Sequence, residues 1–211
     1  MGLILNRLER AIPESKTALL HNNPFELLVA TILSAQCTDA RVNQVTPTLF
    51  QVYKTVTDFA KTNCRDLEKR IQSVNFYRNK AKAIIGTANK IIDSFGGMVP
   101  NRMEQLLTLP GIGRKTANVV LMGFGIPAVV VDTHVRRVAN RLQLTKSSDP
   151  DQIEFDLNAL MPKSKWISGS ARLLLHGRHL CRARRPLCQT CTLFDLCPAD
   201  YEKRAAGEKG A

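Results

Sequence analysis

Apolar residues recur along this chain at helical rather than strand spacing almost from end to end, as in Leu27, Leu28, Thr31, Ile32 and Ala35. A helical period kept so widely leaves an all-α fold as the expectation, because half-buried strands demand alternation instead. The one strand-like run is Val129-Val130-Val131. Start signals are frequent: Asn23-Pro24 with Glu26 ahead of FELLVATILSAQ, Thr38-Asp39 ahead of ARVNQV, and Asp149-Pro150 ahead of DQIEFDLNAL. They delimit short helices joined by tight turns. Pro47 interrupts residues 40–53, which form either two short helices or one kinked helix. A long helix is expected from about Arg78 to Phe95, closed by Gly96-Gly97. The polar tail after Tyr201 is expected to fray.

The 211 residues suffice for one large domain or two small ones. With 44% hydrophobic and 23% charged residues, wholesale disorder, a membrane protein and a low-complexity scaffold are all excluded. Lys and Arg number 30 against 18 Asp and Glu, a formal charge of +12 that points to a polyanionic partner. The opening MGLILNRLERAI carries Arg7, Glu9 and Arg10, so it lacks the unbroken apolar core of a signal peptide. A cytoplasmic, reducing location is the default expectation, and there cysteines are reduced or metal-bound.

Pro110, Gly111 and Gly113 break the helical pattern between RMEQLLTL and RKTANVVLMG, giving a helix, a compact hairpin and a second helix. Gly111 and Gly113 are expected to take backbone angles closed to other residues, so that successive amides point outward beside a helix N-terminus. Such a place binds anions, and a phosphodiester is the natural candidate. Helix first turns favour acids, yet Arg114 and Lys115 stand there. A locally unfavourable choice suggests function. As a free amine Lys115 would be a nucleophile at a sugar carbon, forming a Schiff base once the ring opens. The helix dipole contributes only ~0.3–1 kcal/mol towards that state, so partial burial or neighbouring cations are expected to contribute the rest. The plainer alternative is a phosphate-binding cation.

Cys181, Cys188, Cys191 and Cys197 fall within 17 residues as C-x6-C-x2-C-x5-C. Four thiolates can close a tetrahedral zinc site or hold an iron–sulfur cluster, and ligand chemistry alone leaves both open. Arg182, Arg184 and Arg185 lie between the first two, with Arg172 and Arg178 upstream and no acid from Arg172 to Gln189. This run is expected to grip a phosphate backbone, the alternative being a solvated face.

LPGIGRKTANVV followed by VDTHVRRVANR resembles the helix-hairpin-helix DNA glycosylases, specifically endonuclease III, and the resemblance covers roughly Pro24 to Cys197. It implies a two-lobed all-α fold: a six-helix domain of about residues 19–127 bearing the hairpin, and a second domain of 1–18 and 128–211 bearing a [4Fe-4S] loop on the four cysteines. It implies a monomer acting on double-stranded DNA with oxidised pyrimidines or abasic sites, in the cytoplasm on nucleoid DNA. Lys115 is then the nucleophile at C1′, and Asp132 stabilises charge on the sugar and assists proton transfers, the two facing one another across a groove. An N-cap role for Asp132 is compatible with this. The nucleotide must be extruded and its place filled. The resemblance assigns that plugging to Gln36, in LSAQ, and to Phe76, where relatives commonly have leucine; core packing is the alternative for Phe76 and Tyr77.

Asp39 would line the lesion pocket or cap a helix. Cys37 reads as a small buried thiol. His134, His176 and His179 read as structural or phosphate-binding. The segment TANVVLMGFGIPAVVV is one residue shorter than in typical relatives. Adenine glycosylases of the superfamily usually lack a lysine at the Lys115 position, so Lys115 argues against a monofunctional mismatch glycosylase. A DNA-binding paralogue without catalysis, carrying zinc, is the alternative of another class.

Overall fold

The computed structural model describes residues 1–14 and 18–199. The expectation for the tail after Tyr201 lies outside them. Eleven α-helices account for nearly all regular structure among the described residues, and no strand is present. They are α1 (Gly2–Ala11), α2 (Pro24–Ser34), α3 (Asp39–Val52), α4 (Val56–Lys61), α5 (Cys64–Arg70), α6 (Tyr77–Phe95), α7 (Met103–Leu106), α8 (Arg114–Gly123), α9 (Thr133–Arg141), α10 (Pro150–Leu160) and α11 (Trp166–His179). The chain divides into two compact units, one of Met1–Lys16 with Pro127–Ala211, the other of Thr17–Ile126. No helix of the described residues is long and apolar enough to cross a membrane.

The Thr17–Ile126 unit is built around α2, whose residues Phe25 and Leu27 to Leu33 are all buried. A helix buried on every side must be surrounded, and α3, α6 and α8 pack against it. Asn23 caps it by accepting the Glu26 amide, and Glu26 in turn accepts from the Asn22 amide. Thr38 caps α3 in the same way. The residues around Pro47 form one helix, since the missing amide costs α3 a single bond within its 14 residues. Phe59 on α4 is fully buried against the rings of Phe25, Phe50 and Tyr53. The long helix α6 ends where Gly96 turns left-handed at φ +59° and the Gly97 amide reaches back to the Ile91 carbonyl. At Gly123 of α8 a Cβ would lie 2.1 Å from Leu27 Cδ2, so any larger residue would require the buried Leu27 side chain to move.

In the other unit, α9 packs on α10 and α11, and α1 packs on α11. Leu8, Val135, Val138, Ile153, Leu157 and Leu173 form its centre. The strand expected at Val129-Val130-Val131 is absent: the run is buried but irregular. β-Branched residues favour extended backbone, yet a ladder needs a partner, and none is offered here. Arg172 also departs from expectation. It is buried, donating through Nε to the Ile12 carbonyl and through Nη2 to Glu9, so it ties α1 to α11 instead of facing phosphates.

Arg172→Ala is therefore expected to destabilise the protein by about 1.5–3 kcal/mol, the range for bonds from a charged donor, read as a lower urea midpoint. The dependence of DNA affinity on salt should keep its native slope; a shallower slope would make Arg172 a phosphate contact after all.

Candidate functional site

The hairpin forms where the spacing places it. Its turn is docked on α6: Thr87 Oγ1 donates to the Pro110 carbonyl at 2.8 Å, and Ile112 is buried. Gly111 sits at φ +74°, and a Cβ there would lie 2.9 Å from that of Ala83. Gly113 differs from expectation. It is the N-cap of α8 in extended backbone (φ −96°, ψ 174°), which any residue adopts, and a Cβ would meet nothing within 4 Å. The lack of a side chain at this position leaves the helix end open to close approach. Arg114 and Lys115 are the first two residues of α8, half-buried and exposed respectively. The burial anticipated for Lys115 is thus absent.

Asp132 is the N-cap of α9, and its Oδ1 accepts the amides of His134 (2.9 Å) and Val135 (2.8 Å). The residue is half-buried and directly follows the buried valine run. From the same helix, Arg137 donates to the Gly177 and Cys181 carbonyls. Arg141 donates to the Arg182 and Ala183 carbonyls and to Cys181 Sγ. These bonds hold the loop in which Arg182, Arg184 and Arg185 are exposed.

Cys181, Cys188, Cys191 and Cys197 are free thiols lining one mainly apolar cavity with Leu142, Leu180, Leu193 and His176. The Leu193 amide donates to Cys191 Sγ at 3.4 Å. Burial pushes the Cys191 thiol up, and the other three cysteines add to the shift. No three of the His, Cys, Asp and Glu side chains among the described residues are grouped to hold one metal ion. His176 is buried with its Nε2 3.7 Å from Cys191 Sγ, and burial lowers its pKa to about 4, so it stays neutral as a wall of the cavity. His134 places Nδ1 3.1 Å from Arg137, and His179 is exposed.

Gln36 and Phe76 are both exposed and both take left-handed backbone, at φ 53° and 57°. Phe76 is 61% exposed, which removes the core-packing alternative for it; Tyr77 is half-buried beside the Arg78 guanidinium. Asp39 is the first residue of α3 and half-buried, and the cap of that helix is Thr38, not Asp39. Cys37 is half-buried instead of buried.

A family model described as HhH-GPD superfamily base excision DNA repair protein matches residues 29–163. Endonuclease III of Synechocystis sp. is 52% identical over 93% of this chain and 90% of its own length. Endonuclease III of Bacillus subtilis is 46% identical over 96% of this chain and 94% of its own. The chain belongs to the endonuclease III family. A solved structure of a trapped endonuclease III–DNA covalent intermediate, an estranged-adenine complex, superposes with TM-score 0.90 at 42% identity, covering 93% of each chain. A non-covalent endonuclease III–DNA complex superposes with TM-score 0.89.

For this member of the endonuclease III family, sequence reasoning missed Lys80, Asn75, Arg137 and Arg141. Lys80 is buried, donating to the Leu33 (2.8 Å) and Ala35 (2.6 Å) carbonyls, and burial lowers its pKa from the usual lysine range. A signal existed: on α6 the buried stripe of Ala81, Ile84, Ala88 and Ile91 includes position 80, where an apolar residue is the default. For the two arginines no such signal exists, because they read like any solvated helix face.

The two hairpin glycines should respond differently to alanine. Gly111→Ala is expected to cost at least about 1–2 kcal/mol of stability from the left-handed backbone alone. Gly113→Ala, which replaces an N-cap glycine, should cost less, about 0.5–1 kcal/mol, while weakening binding to abasic duplex DNA. Thermal melts and titrations separate these effects, and equal melting of the two variants would contradict the hairpin geometry.

Proposed function

We propose that this chain removes oxidised pyrimidines from duplex DNA and nicks the strand 3′ to the resulting abasic site, with Lys115 as nucleophile and Asp132 as its carboxylate partner. It is a base-excision repair DNA glycosylase and abasic-site lyase, as family membership over most of its length supports. The observation that carries the residue assignment is Lys115 standing exposed in the first turn of α8, directly after the open N-cap at Gly113. The working protein is read as a monomer, in the cytoplasm on nucleoid DNA. Its functional division is read as residues 19–127 against 1–18 with 128–211.

The Nζ lone pair of Lys115 forms a bond to C1′ as the glycosidic bond breaks and its electron pair leaves with the base. One proton then passes from the nitrogen to the ring oxygen as the C1′–O4′ bond breaks, giving an open-chain sugar with a protonated C1′ imine. Loss of a C2′ proton expels the 3′ phosphate oxygen, and water releases the lysine. Asp132 stabilises positive charge on the sugar while that charge develops, and it receives or returns protons at its carboxylate oxygens. The hairpin amides beside Gly111 and Gly113, with Arg114, hold a phosphate. Arg182, Arg184 and Arg185 hold the backbone elsewhere, Gln36 and Phe76 fill the vacated stack, and Asp39 lines the lesion pocket.

The cysteine cavity fits a [4Fe-4S] cluster. Its donors are all sulfur, its walls are apolar, and an amide and a guanidinium already donate to two of the sulfurs. All four thiols line the same cavity, and an all-sulfur donor set suits an iron–sulfur cluster. Cys181, Cys188, Cys191 and Cys197 would hold it, and it would staple a segment short of apolar residues.

Borohydride added during turnover should trap a protein–DNA adduct that Lys115→Ala abolishes, together with a fall in strand scission of roughly 10³-fold or more. Asp132→Asn tests the carboxylate cleanly, since asparagine caps helices as well as aspartate does; native melting with strongly reduced turnover is expected. Base release without an adduct in the native protein would make it a monofunctional glycosylase. Purified protein should be yellow-brown and contain iron, and Cys188→Ser should lose both. A colourless, zinc-containing protein that leaves abasic DNA intact would be a binding paralogue.

A further inference from the structure

Lys80 is bonded to both the loop of Gln36 and the loop of Phe76, two of the four exposed non-glycine residues with left-handed backbone among those described, the others being Gln143 and Arg185. Its amide donates to the Phe76 carbonyl at 3.1 Å, closing the first turn of α6. Its ammonium donates to the Leu33 and Ala35 carbonyls at the end of α2, one residue before Gln36. Asn75 adds a second tie from the other direction, donating through Nδ2 to the Gln36 carbonyl at 2.8 Å.

Each feature is costly on its own. A helix C-terminus leaves orphan carbonyls that water or a glycine turn ordinarily satisfies. Here a lysine from another helix does so, buried in a stripe where leucine or methionine would pack without desolvating a charge. Gln36 and Phe76 are held in backbone that side-chain-bearing residues rarely adopt, and such strain persists only where surrounding bonds over-determine it. Several locally unfavourable choices converging on two exposed side chains suggest function rather than packing.

We propose that Lys80 and Asn75 are positioning residues that lock the Gln36 and Phe76 loops into one two-pronged wedge, so that both side chains enter the duplex together as a nucleotide is extruded. The inference rests on the reading of Gln36 and Phe76 as the plugs. A wedge ordered before binding loses less freedom on insertion than two independent loops. Its benefit is largest where the nucleotide is well stacked and paired, and smallest where extrusion is already cheap.

The test compares single-turnover excision of dihydrouracil placed opposite its normal partner with excision opposite a reduced abasic analogue. Lys80→Met should lower the paired rate roughly tenfold more than the unpaired rate, as loss of bonds from a charged donor predicts. Lys80→Arg should recover part of the difference. Asn75→Ala, at an exposed position that folding tolerates, should lower the paired rate selectively by roughly threefold, and it decides the matter if Lys80→Met does not fold. In a Gln36→Ala, Phe76→Ala background neither change should alter the ratio further. Equal losses in both contexts, or additive losses in that background, would reduce the pair to a structural role. If the plug variants themselves leave the ratio native, the plug reading fails and takes the inference with it. Sensitive plugs beside insensitive Lys80 and Asn75 overturn the inference alone.

Discussion

Asp132 accepts two amide protons at the start of α9, and much of what its unit offers chemically follows from where that helix begins. The cap fixes the register, and the register places Arg137 and Arg141 one turn apart on the same face. From there their guanidinium groups reach four carbonyls between Gly177 and Ala183. A loop whose carbonyls are drawn inward leaves its side chains outside, and those side chains are Arg182, Arg184 and Arg185. The carboxylate read as catalytic, the exposed arginines read as phosphate contacts and the first cysteine of the cavity therefore hang from a single helix start. A cap that survives exchange for asparagine lets the chemistry at this residue be altered without moving the rest.

The unit of Thr17–Ile126 solves a similar problem with backbone groups. Its hairpin offers amides, its α2 terminus offers carbonyls, and the groups that fix them come from α6: Thr87 for the hairpin and Lys80 for the loop after α2. One long helix, packed against α2, α4 and α5, thus sets the place of both the hairpin and Gln36. Its length matters for that reason. Thr87 and Lys80 lie seven residues apart, two turns along one rod.

What the sequence disclosed divides along the range of the interactions. Helix starts at Asn23, Thr38 and Asp149 were legible because a cap is closed by residues three positions apart. The hairpin was legible for the same reason, as were the four cysteines that line one cavity. Val129-Val130-Val131 misled because local preference for extended backbone says nothing about whether a partner strand exists. Arg172 misled because a buried and a solvated arginine look alike in one dimension, and its partners Ile12 and Glu9 are some 160 residues away. Lys80 could have been noticed as a charge on an apolar stripe, but its two carbonyl partners, 45 and 47 residues distant, could not.

The count of 30 Lys and Arg residues, rather than the net charge, needs the same correction for distance. Arg7 is paired with Asp195, Lys165 and Arg172 with Glu9, and Arg137, Arg141 and Lys80 are turned to carbonyl oxygens. Cations engaged in this way hold the protein together and are poorly placed to release counterions from DNA. Exposed cations remain, among them Lys115 and the arginines between the first two cysteines, which are the groups proposed to meet DNA. Net charge named the class of partner correctly, while the surface that meets it is smaller than the count implies. On this account a basic protein and a basic binding face are separate facts, and only burial tells them apart.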